Sequence, residues 1–259
     1  AHLPAGHTTS ALRDWMREAA WMPDAIDAAL GAVVVQPPAQ SKPSVQARSS
    51  MPEPSLEGSP QLLDAGDRQV RVLLTMKHPR VVVFGDLLSH EECDALIEGA
   101  RERLARSLTV ETKTGGEALN VDRTSDGMFF TRGENPVVQR VEARIARLLN
   151  WPVEFGEGLQ VLRYSPGAQY RPHYDYFDPA EPGTPTILRR GGQRLATLVI
   201  YLQEPEQGGG TTFPDVGLEV APHRGTAVFF SYDRPDAATR TLHGGAPVLA
   251  GEKWVATKW

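Results

Sequence analysis

Cysteine is almost missing from this sequence, and so are long apolar segments and any strong excess of one charge. Cys93 is the single cysteine among 259 residues, so no disulfide can form within the chain. No apolar run approaches the roughly 20 residues that cross a bilayer, and the start lacks the pattern of a signal peptide. With 27 basic and 32 acidic residues the net charge is -5, which attracts neither nucleic acid nor an anionic membrane. We therefore expect a cytoplasmic protein with no nucleic-acid or membrane partner.

The first 60 residues differ in composition from the rest of the chain. Residues 1–35 contain two short stretches with apolar residues at helical spacing, one after Ser10 and one at Pro23, and predict a small helical appendage. Residues 36–60 contain six prolines, six serines and no aromatic residue, a composition typical of a linker. We therefore expect the main domain to span 61–259.

Two helices are predicted in the first half of this domain. Ser89 and Glu92 form a capping-box pattern, and the apolar stripe after them includes Cys93, which we expect in the core and not as a nucleophile. A second helix begins after Asn135, a capping residue followed by proline, and its apolar spacing indicates that it packs on a sheet. The polar segment 108–133 between the helices is longer than most connections and predicts a lid or binding loop.

After residue 151 the chain changes to short runs of β-branched and aromatic residues, separated by glycine and proline. This alternation is typical of an all-β sandwich or barrel. Because helices precede these strands, we expect an α+β fold that is mainly β with flanking helices, its strands forming a jelly roll. The predicted strands are Val70–Thr75, Val81–Phe84, Leu159–Tyr164, Tyr170–Asp175, Leu195–Leu202, Thr226–Tyr232 and Lys253–Trp259.

His173 and Asp175 lie two residues apart in a predicted strand, so their side chains should point to the same face of the sheet. An imidazole and a carboxylate from one strand, joined by a second histidine from elsewhere, form the facial triad that holds Fe(II) and leaves positions open. His243 is the candidate third ligand. Taken alone, a His-x-Asp triplet is weak evidence for a metal, because surface and core histidines are more common.

Lys253 is unusual because it begins the apolar run Lys253–Ala256. A buried ammonium is costly unless it meets an anion, and the carboxylate of an oxo-acid would satisfy it. The simpler alternative is a lysine at a strand end whose ammonium reaches water. Two other segments give no sign of a functional site. Gly208–Gly210 predicts a turn and not a phosphate loop, because no Walker lysine follows. His223 lies in a turn-like segment that we expect to be exposed.

Several motifs follow one another along the chain: Arg123–Gly127, Leu159–Tyr164, Tyr170–Asp175, Arg194–Thr197, Gly208–Pro214, His243–Gly245 and Gly251–Trp254. In this order they resemble the prolyl 4-hydroxylase branch of the Fe(II)- and 2-oxoglutarate-dependent dioxygenases, over roughly residues 81–259. The resemblance implies a double-stranded β-helix fold. It also implies that His173, Asp175 and His243 bind the iron, and that Lys253 pairs with the C5 carboxylate of 2-oxoglutarate.

Further site residues follow from the same resemblance. Tyr164 and Thr197 match polar residues that line the 2-oxoglutarate pocket, although without the resemblance both would be ordinary sheet residues. The implied reaction hydroxylates C4 of a prolyl residue in a peptide or protein, giving succinate and CO2, with Fe(II), 2-oxoglutarate and O2 as cofactor and cosubstrates and L-ascorbate as reductant. The positions similar to peptide contacts of the family are Arg123, Ser125, Glu157, Tyr170 and Trp259.

Two other functions stay open at this point. The same iron site could hydroxylate a free amino acid or another small molecule, with the segment 108–133 closing over a small pocket. A non-enzymatic jelly-roll module could bind a structural metal, but structural sites are closed and would not need Lys253.

With a single cysteine and no signal peptide, the chain departs from the animal collagen enzymes, and collagen is not the expected substrate. The sequence gives no indication of the oligomeric state.

Overall fold

The computed structural model describes residues 51–259 apart from 111–113, 115 and 120–121. The predicted helical appendage and the first part of the predicted linker lie outside the described residues. Within the described residues, no helix combines the length and the apolar character needed to cross a membrane.

The described end of the predicted linker, residues 51–60, lies against the domain. Pro52 and Pro54 are buried, the Glu53 carboxylate pairs with Arg80, and the Glu53 N–H donates to the carbonyl of Leu149 at 2.8 Å. The folded region of the structure therefore starts at least ten residues before the expected boundary at residue 61. The division of the whole chain into appendage, linker and domain stays a prediction.

The described residues form strands and helices in an alternating order that begins with strands. The helices are α1 (His90–Arg101), α2 (Pro136–Leu148) and α3 (Thr184–Gly191), with short 3-10 helices at Val153–Phe155, Pro214–Val216 and Ala237–Thr239. The strands are β1 (Leu62–Asp64), β2 (Gln69–Met76), β3 (Arg80–Gly85), β4 (Ala105–Arg106), β5 (Leu108–Val110), β6 (Glu117–Leu119), β7 (Asp126–Phe130), β8 (Leu159–Tyr164), β9 (Tyr170–His173), β10 (Ala196–Gln203), β11 (Gln207–Gly208), β12 (Thr211–Phe213), β13 (Leu218–Val220), β14 (Ala227–Ser231), β15 (His243–Gly245), β16 (Val248–Ala250) and β17 (Lys253–Lys258).

Two antiparallel sheets face each other across an apolar interior. The main sheet has nine strands in the order β1-β2-β3-β14-β10-β17-β8-β7-β4, and the minor sheet has four in the order β13-β12-β15-β9. Phe213 of the minor sheet packs edge-on against Phe230 of the main sheet, with ring centroids 5.3 Å apart, and the Tyr201 hydroxyl bonds that of Thr211 at 2.7 Å. These contacts confirm the predicted mainly-β jelly roll with flanking helices.

The main sheet separates two cores because successive residues of a strand point to opposite faces. On β14, Ala227 and Phe229 belong to the core that contains α1 and α2. Val228 and Phe230 on the same strand belong to the core beneath the minor sheet. Lys253 opens β17 on the second side, paired in register with a residue of β8 that lies in that same core. The site is therefore built between the two sheets.

Both predicted helices begin where the capping residues indicate. The Ser89 hydroxyl accepts the N–H of Glu92, and the Glu92 carboxylate accepts the N–H of Ser89, which is a complete capping box. The Asn135 side chain accepts the N–H of Val138 at 3.0 Å. Cys93 is fully buried in the helix-side core, and burial raises the pKa of its thiol to about 11. Its predicted role as a core residue is confirmed.

Three features differ from expectation. The segment 108–133 is not a simple loop, since it contains a hairpin of β5 and β6 and the strand β7, which joins the main sheet through the buried Met128 and Phe130. Helix α3 was not predicted. The strand expected to reach Asp175 ends at His173, so the carboxylate lies just beyond β9.

Candidate metal centre and active site

Three predicted ligands converge between the sheets. His173 on β9 and His243 on β15 are direct partners in neighbouring antiparallel strands. Asp175 lies two residues past His173, with its Oδ1 3.5 Å from the Nε2 of His173 and its Oδ2 3.4 Å from the Nε2 of His243. The ligand atoms of all three lie within 4.8 Å of one another. The structure thus brings the predicted triad together, although Asp175 is not part of the strand.

The two imidazoles are held in the form that binds a metal. Nδ1 of His173 lies 2.8 Å from the carbonyl of Arg171, and Nδ1 of His243 lies 2.9 Å from the carbonyl of Thr241. A carbonyl can only accept, so each Nδ1 carries the proton and each Nε2 keeps its lone pair. Burial, together with the neighbouring His243, also lowers the pKa of His173, which favours the neutral ring. This arrangement fits a divalent cation of the Fe(II) class.

The carboxylate of Asp175 is oriented by two donors. The Thr197 hydroxyl and the Trp259 indole N–H both donate to Oδ2, at 2.7 and 2.9 Å. Burial alone would raise the pKa of Asp175, but the adjacent His243 and His173 hold that pKa well below its usual value. The group is therefore a fixed carboxylate whose Oδ1 is turned toward His173.

A stack of side chains covers one side of the cluster. The Tyr170 ring stacks on His173, with centroids 3.6 Å apart and planes inclined by 21°, and the guanidinium carbon of Arg123 lies 5.0 Å from the centre of the Tyr170 ring. One Arg123 nitrogen donates to Gln160 at 2.9 Å, while its buried Nε has no hydrogen-bond partner among the described residues. Burial raises the pKa of Tyr170 to about 12, so its hydroxyl stays protonated. Two predicted substrate residues are thus neighbours beside the metal ligands.

Lys253 lines the same cavity. Its side chain is buried, its Nζ donates to the Gly209 carbonyl at 2.7 Å, and its Nζ lies 4.7 Å from the centre of the Tyr164 ring. Burial lowers its pKa to about 8. With only 3% of the residue exposed, the alternative of a lysine reaching water is wrong. Among the described residues no carboxylate lies within ion-pair distance of this ammonium. A carboxylate ligand would fit, because it would supply the missing counter-charge.

The turn beside Lys253 needs glycine. Gly209 has a positive φ of 73°, and a Cβ at that position would lie 3.1 Å from Cδ of Lys253. The segment Gly208–Gly210 is thus a tight connection between β11 and β12, as predicted, and its backbone approaches the lysine closely.

Arg194 is a site residue that the sequence reasoning did not assign. Its guanidinium donates to Glu157 at 2.6 and 3.0 Å and lies 3.9 Å from the Trp259 ring centre. One of its nitrogens is 4.0 Å from Oδ1 of Asp175. Glu157 is therefore joined to the metal cluster through this residue, which also packs on Trp259, and the motif Arg194–Thr197 was the signal that pointed to it.

A cavity of about 950 Å³ contains most of the predicted site residues. Ser125 is not among the residues that line it; its fully buried hydroxyl donates to Ser107 at 3.0 Å. Thr197 lines the cavity, but its hydroxyl is directed to Asp175 and to Tyr232. The predicted site residues in the lining are Arg123, Glu157, Tyr164, Tyr170, His173, Asp175, Thr197, His243, Lys253 and Trp259.

The family model and the curated relatives that this chain matches belong to one family of oxygenases. Residues 159–259 match the model of the 2OG-Fe(II) oxygenase superfamily. Prolyl 4-hydroxylase 5 of Arabidopsis thaliana is 41% identical over 215 residues, covering 75% of this chain and 72% of the relative. Prolyl 4-hydroxylase 1 of the same plant is 43% identical over 198 residues, covering 70% and 68%.

A solved structure is also similar. It is the viral collagen prolyl hydroxylase of Paramecium Bursaria Chlorella virus-1 in complex with 2OG, which is 33% identical, covers 69% of this chain and 94% of that one, and superposes with a TM-score of 0.53. The alternative of a non-enzymatic jelly-roll module that binds a structural metal is therefore wrong. The chain belongs to the prolyl 4-hydroxylase family of the 2OG-Fe(II) oxygenases and is a 2-oxoglutarate-dependent dioxygenase.

Proposed function

We propose that this chain hydroxylates C4 of a prolyl residue within a peptide or protein, consuming 2-oxoglutarate and O2 and releasing succinate and CO2. One observation carries the proposal: a buried ammonium that has no carboxylate partner among the described residues lines the same cavity as a His-Asp-His cluster. A cluster alone would suit many metal proteins. The added buried cation selects a ligand that has a carboxylate at a distance from its metal-binding end.

The metal and the cosubstrate each have a defined place in this proposal. His173, His243 and Asp175 would hold Fe(II), and Lys253 would hold the far carboxylate of 2-oxoglutarate. When bound, the iron and 2-oxoglutarate supply the oxygen chemistry that turns a C–H bond into C–OH. We include L-ascorbate as the reductant and the cytoplasm as the location in the proposal.

The chain's own residues orient the reactants. Tyr170 fixes the plane of the His173 ring by stacking on it at 3.6 Å, and Thr197 and Trp259 fix the Asp175 carboxylate through Oδ2. These contacts limit rotation of the ligands, and a site of this kind needs placement to within a fraction of an ångström. The reaction then depends on holding one C–H bond of the substrate toward the metal and on keeping bulk water away.

The size of the cavity favours a peptide over free proline. About 950 Å³ is far more than one amino acid fills, and Arg123, Tyr170, Glu157 and Trp259 spread along its lining offer both aromatic faces and charges. Free proline would also bring two terminal charges into a cavity where Lys253 is assigned to 2-oxoglutarate. A prolyl residue within a chain has no such charges and has a fixed φ, so its binding orders little.

Mass spectrometry tests the proposal. The chain is loaded with Fe(II) without oxygen and then given O2, 2-oxoglutarate, ascorbate and either a capped Pro-containing peptide or free proline. We expect the gain of one oxygen on a proline ring of the peptide, with an equal amount of succinate. Oxygen incorporated into free proline alone would contradict the peptide assignment and favour the small-molecule alternative.

A pair of histidine variants supplies the control. His173→Ala should lose succinate formation and Fe(II) binding, because two remaining ligands hold iron poorly. His223→Ala should keep both, because the His223 side chain is 74% exposed and does not line the cavity. Normal turnover by His173→Ala would refute the iron site.

A further inference from the structure

Lys258, the last residue of β17, is a buried cation in the wall of the cavity. Its side chain is 7% exposed, and the residue belongs to the cavity lining. Its Nζ donates to the Glu142 carboxylate of α2 at 2.5 Å and to the main-chain carbonyl of Glu157. Glu157 lines the cavity, whereas Glu142 does not. One ammonium therefore joins a charged group behind the cavity wall to a main-chain group within it.

The main chain of Glu157 is held at both of its polar groups by the end of β17. The Glu157 N–H donates to the carbonyl of Trp259 at 2.9 Å, and the Glu157 carbonyl accepts the Lys258 ammonium. Two bonds to neighbouring residues of one strand restrict rotation of this short segment. The direction in which the Glu157 side chain leaves the main chain is therefore set by β17.

Glycine on each side of Glu157 makes this support from β17 necessary. A Cβ at Gly156 would lie 2.6 Å from Cε of Lys258, so a side chain there would displace the lysine. A Cβ at Gly158 would lie 2.5 Å from the carbonyl oxygen of Phe130. Because glycine has more backbone freedom than any other residue, the local sequence does not order this segment by itself. The bonds to Lys258 and to the Trp259 carbonyl supply that order.

The Glu157 carboxylate leads to the metal ligands through one arginine. It accepts two N–H groups of Arg194, at 2.6 and 3.0 Å, and a third nitrogen of Arg194 lies 4.0 Å from Oδ1 of Asp175. Oδ2 of the same carboxylate accepts from Thr197 and Trp259. The place of Arg194, and with it the positive charge that faces Oδ1, therefore depends on where Glu157 is held.

We propose that Lys258 is a positioning residue: by holding the main chain of Glu157 it sets the place of Arg194, and so the orientation of the Asp175 carboxylate at the metal. The inference rests on the proposed function only for the kinetic part of its test. Residues that orient metal ligands from outside commonly change metal affinity or activity about 10- to 100-fold when they are removed. The competing explanation is that Lys258 only stabilises the fold through its ion pair with Glu142.

A matched pair of variants separates these two roles. Lys258→Met removes both bonds of the ammonium and keeps most of the side-chain volume. Glu142→Gln removes the ion pair, keeps an amide oxygen that can accept from Lys258, and leaves the Glu157 carbonyl in place. Both variants should lower the urea midpoint of unfolding, because each leaves a buried charge without its charged partner. Only Lys258→Met should change the metal site.

Co(II) bound in place of Fe(II), without 2-oxoglutarate or substrate, gives a readout that needs no turnover. Its visible absorption reports the arrangement of its ligands, and its titration gives the metal Kd. For Lys258→Met we expect a changed spectrum and a Kd raised about tenfold, and for Glu142→Gln the spectrum and Kd of the wild type. Gly156→Ala, which displaces the lysine and keeps its charge, should behave as Lys258→Met does and decides the matter if that variant does not fold.

Two results of the Co(II) titration would overturn the inference. One is a wild-type spectrum and Kd in Lys258→Met or, where that variant does not fold, in Gly156→Ala; the other is an equal change in Lys258→Met and Glu142→Gln. Both results leave the proposed function standing. A wild-type chain that binds no Co(II) would contradict the metal site itself, and the inference with it.

Kinetics in a Glu157 variant shows whether Lys258 acts through that residue. Glu157→Ala keeps the main-chain carbonyl and removes the carboxylate that holds Arg194. In the otherwise unchanged chain, Lys258→Met should lower kcat for succinate release about tenfold and change the KM for 2-oxoglutarate less than about twofold, because Lys253 is untouched. In Glu157→Ala the same substitution should cause little further loss of kcat. Losses that multiply would show that Lys258 acts independently of Glu157 and would contradict the inference.

Discussion

Two buried cations on opposite sides of the main sheet have opposite surroundings. On the helix side, Arg144 of α2 donates to Glu92, to Asp67 and to the carbonyl of Leu87, at 2.7 to 2.9 Å. On the site side, Lys253 has a carbonyl and an aromatic ring but no carboxylate within ion-pair distance among the described residues. Both cations are almost inaccessible: the Arg144 side chain is 2% exposed and Lys253 is 3% exposed.

The pKa values of the two cations move in opposite directions because only Arg144 has carboxylate partners. Burial would lower the pKa of Arg144, but the hydrogen bonds that it donates to Asp67 and Glu92 raise that pKa above its usual value. Burial lowers the pKa of Lys253, and no anion in the part of the chain that the structure describes compensates for it. Removing a buried cation whose partners are all present leaves those partners buried and unpaired, which destabilises the folded chain. A buried cation whose partner is missing indicates where a ligand binds.

The largest effect on stability should come from the paired cation. Arg144→Met leaves Glu92 buried without its main partner, so the free energy of unfolding should fall by about 3–5 kcal/mol. The iron site lies on the other side of the sheet, so the KM for 2-oxoglutarate of the folded variant should not change. Urea unfolding followed by circular dichroism measures the first quantity, and succinate release at a temperature where the variant is folded measures the second. A changed KM for 2-oxoglutarate with an unchanged free energy of unfolding would show that Arg144 serves the site and not the stability of the fold.

The unpaired cation should give the opposite pattern. Lys253→Met removes the proposed charge for the far carboxylate, a change that costs about 2–5 kcal/mol in buried charged contacts. The KM for 2-oxoglutarate should therefore rise by roughly 30-fold or more, while Fe(II) binding is kept. Stability without ligand should stay the same or increase, because a costly buried ammonium is gone. A normal KM for 2-oxoglutarate would contradict the assignment.

The pH dependence of stability distinguishes the two cations further. The pKa of Lys253 is about 8 in the folded chain and 10.5 in the ordinary reference state. Between these values the unfolded chain binds more protons, so this residue makes the free energy of unfolding increase with pH, by up to about 3 kcal/mol. The KM for 2-oxoglutarate should rise over the same range as the ammonium is lost. The measurement is the difference in unfolding free energy between wild type and Lys253→Met from pH 7 to 10; a constant difference would show that the lysine is not buried as described.

The smallest effect concerns a residue that the resemblance assigned to the substrate. Ser125 donates to Ser107 and lies outside the cavity lining. Ser125→Ala should lower the free energy of unfolding by about 1 kcal/mol, the value of one buried hydrogen bond, and should change the KM for a Pro-containing peptide less than twofold. Arg123→Ala, which alters the cavity wall, is the comparison variant and should raise that KM more strongly. A large KM effect of Ser125→Ala would restore the residue to the substrate site.

The parts of the fold that could be predicted depend on local signals. Ser89 and Asn135 mark helix starts by bonding within one turn of themselves, so sequence alone reveals them. Helix α3 was not predicted because Gly183 caps it without a side-chain hydrogen bond and Pro185 makes the segment resemble a turn. The minor-sheet strands β12 and β13 have three residues each, too few for alternation to be recognised.

The site residues also divide into those that local spacing reveals and those that only the fold brings together. His173 and Asp175 could be paired from spacing, whereas His243 entered through order and resemblance, because its position opposite His173 is a product of strand register. Arg194 was missed because its partner Glu157 is 37 residues away. Ser125 was assigned to the substrate together with Arg123 through the resemblance alone. In the structure Arg123 lines the cavity, whereas the buried Ser125 hydroxyl donates to Ser107.

The two iron-binding imidazoles take their orientation from the main chain. Each Nδ1 is bonded to the carbonyl two residues earlier in the chain, and the strands that carry the two histidines are hydrogen-bonded neighbours. The orientation of the two imidazoles is therefore set by the main chain, and cavity side chains that do not contact the three ligands can be exchanged without altering it. Such a site is readily evolvable: new substrates can be accommodated by changing the lining while the oxidising centre is inherited unchanged. The same property makes the cavity a practical scaffold for directed evolution of hydroxylation specificity.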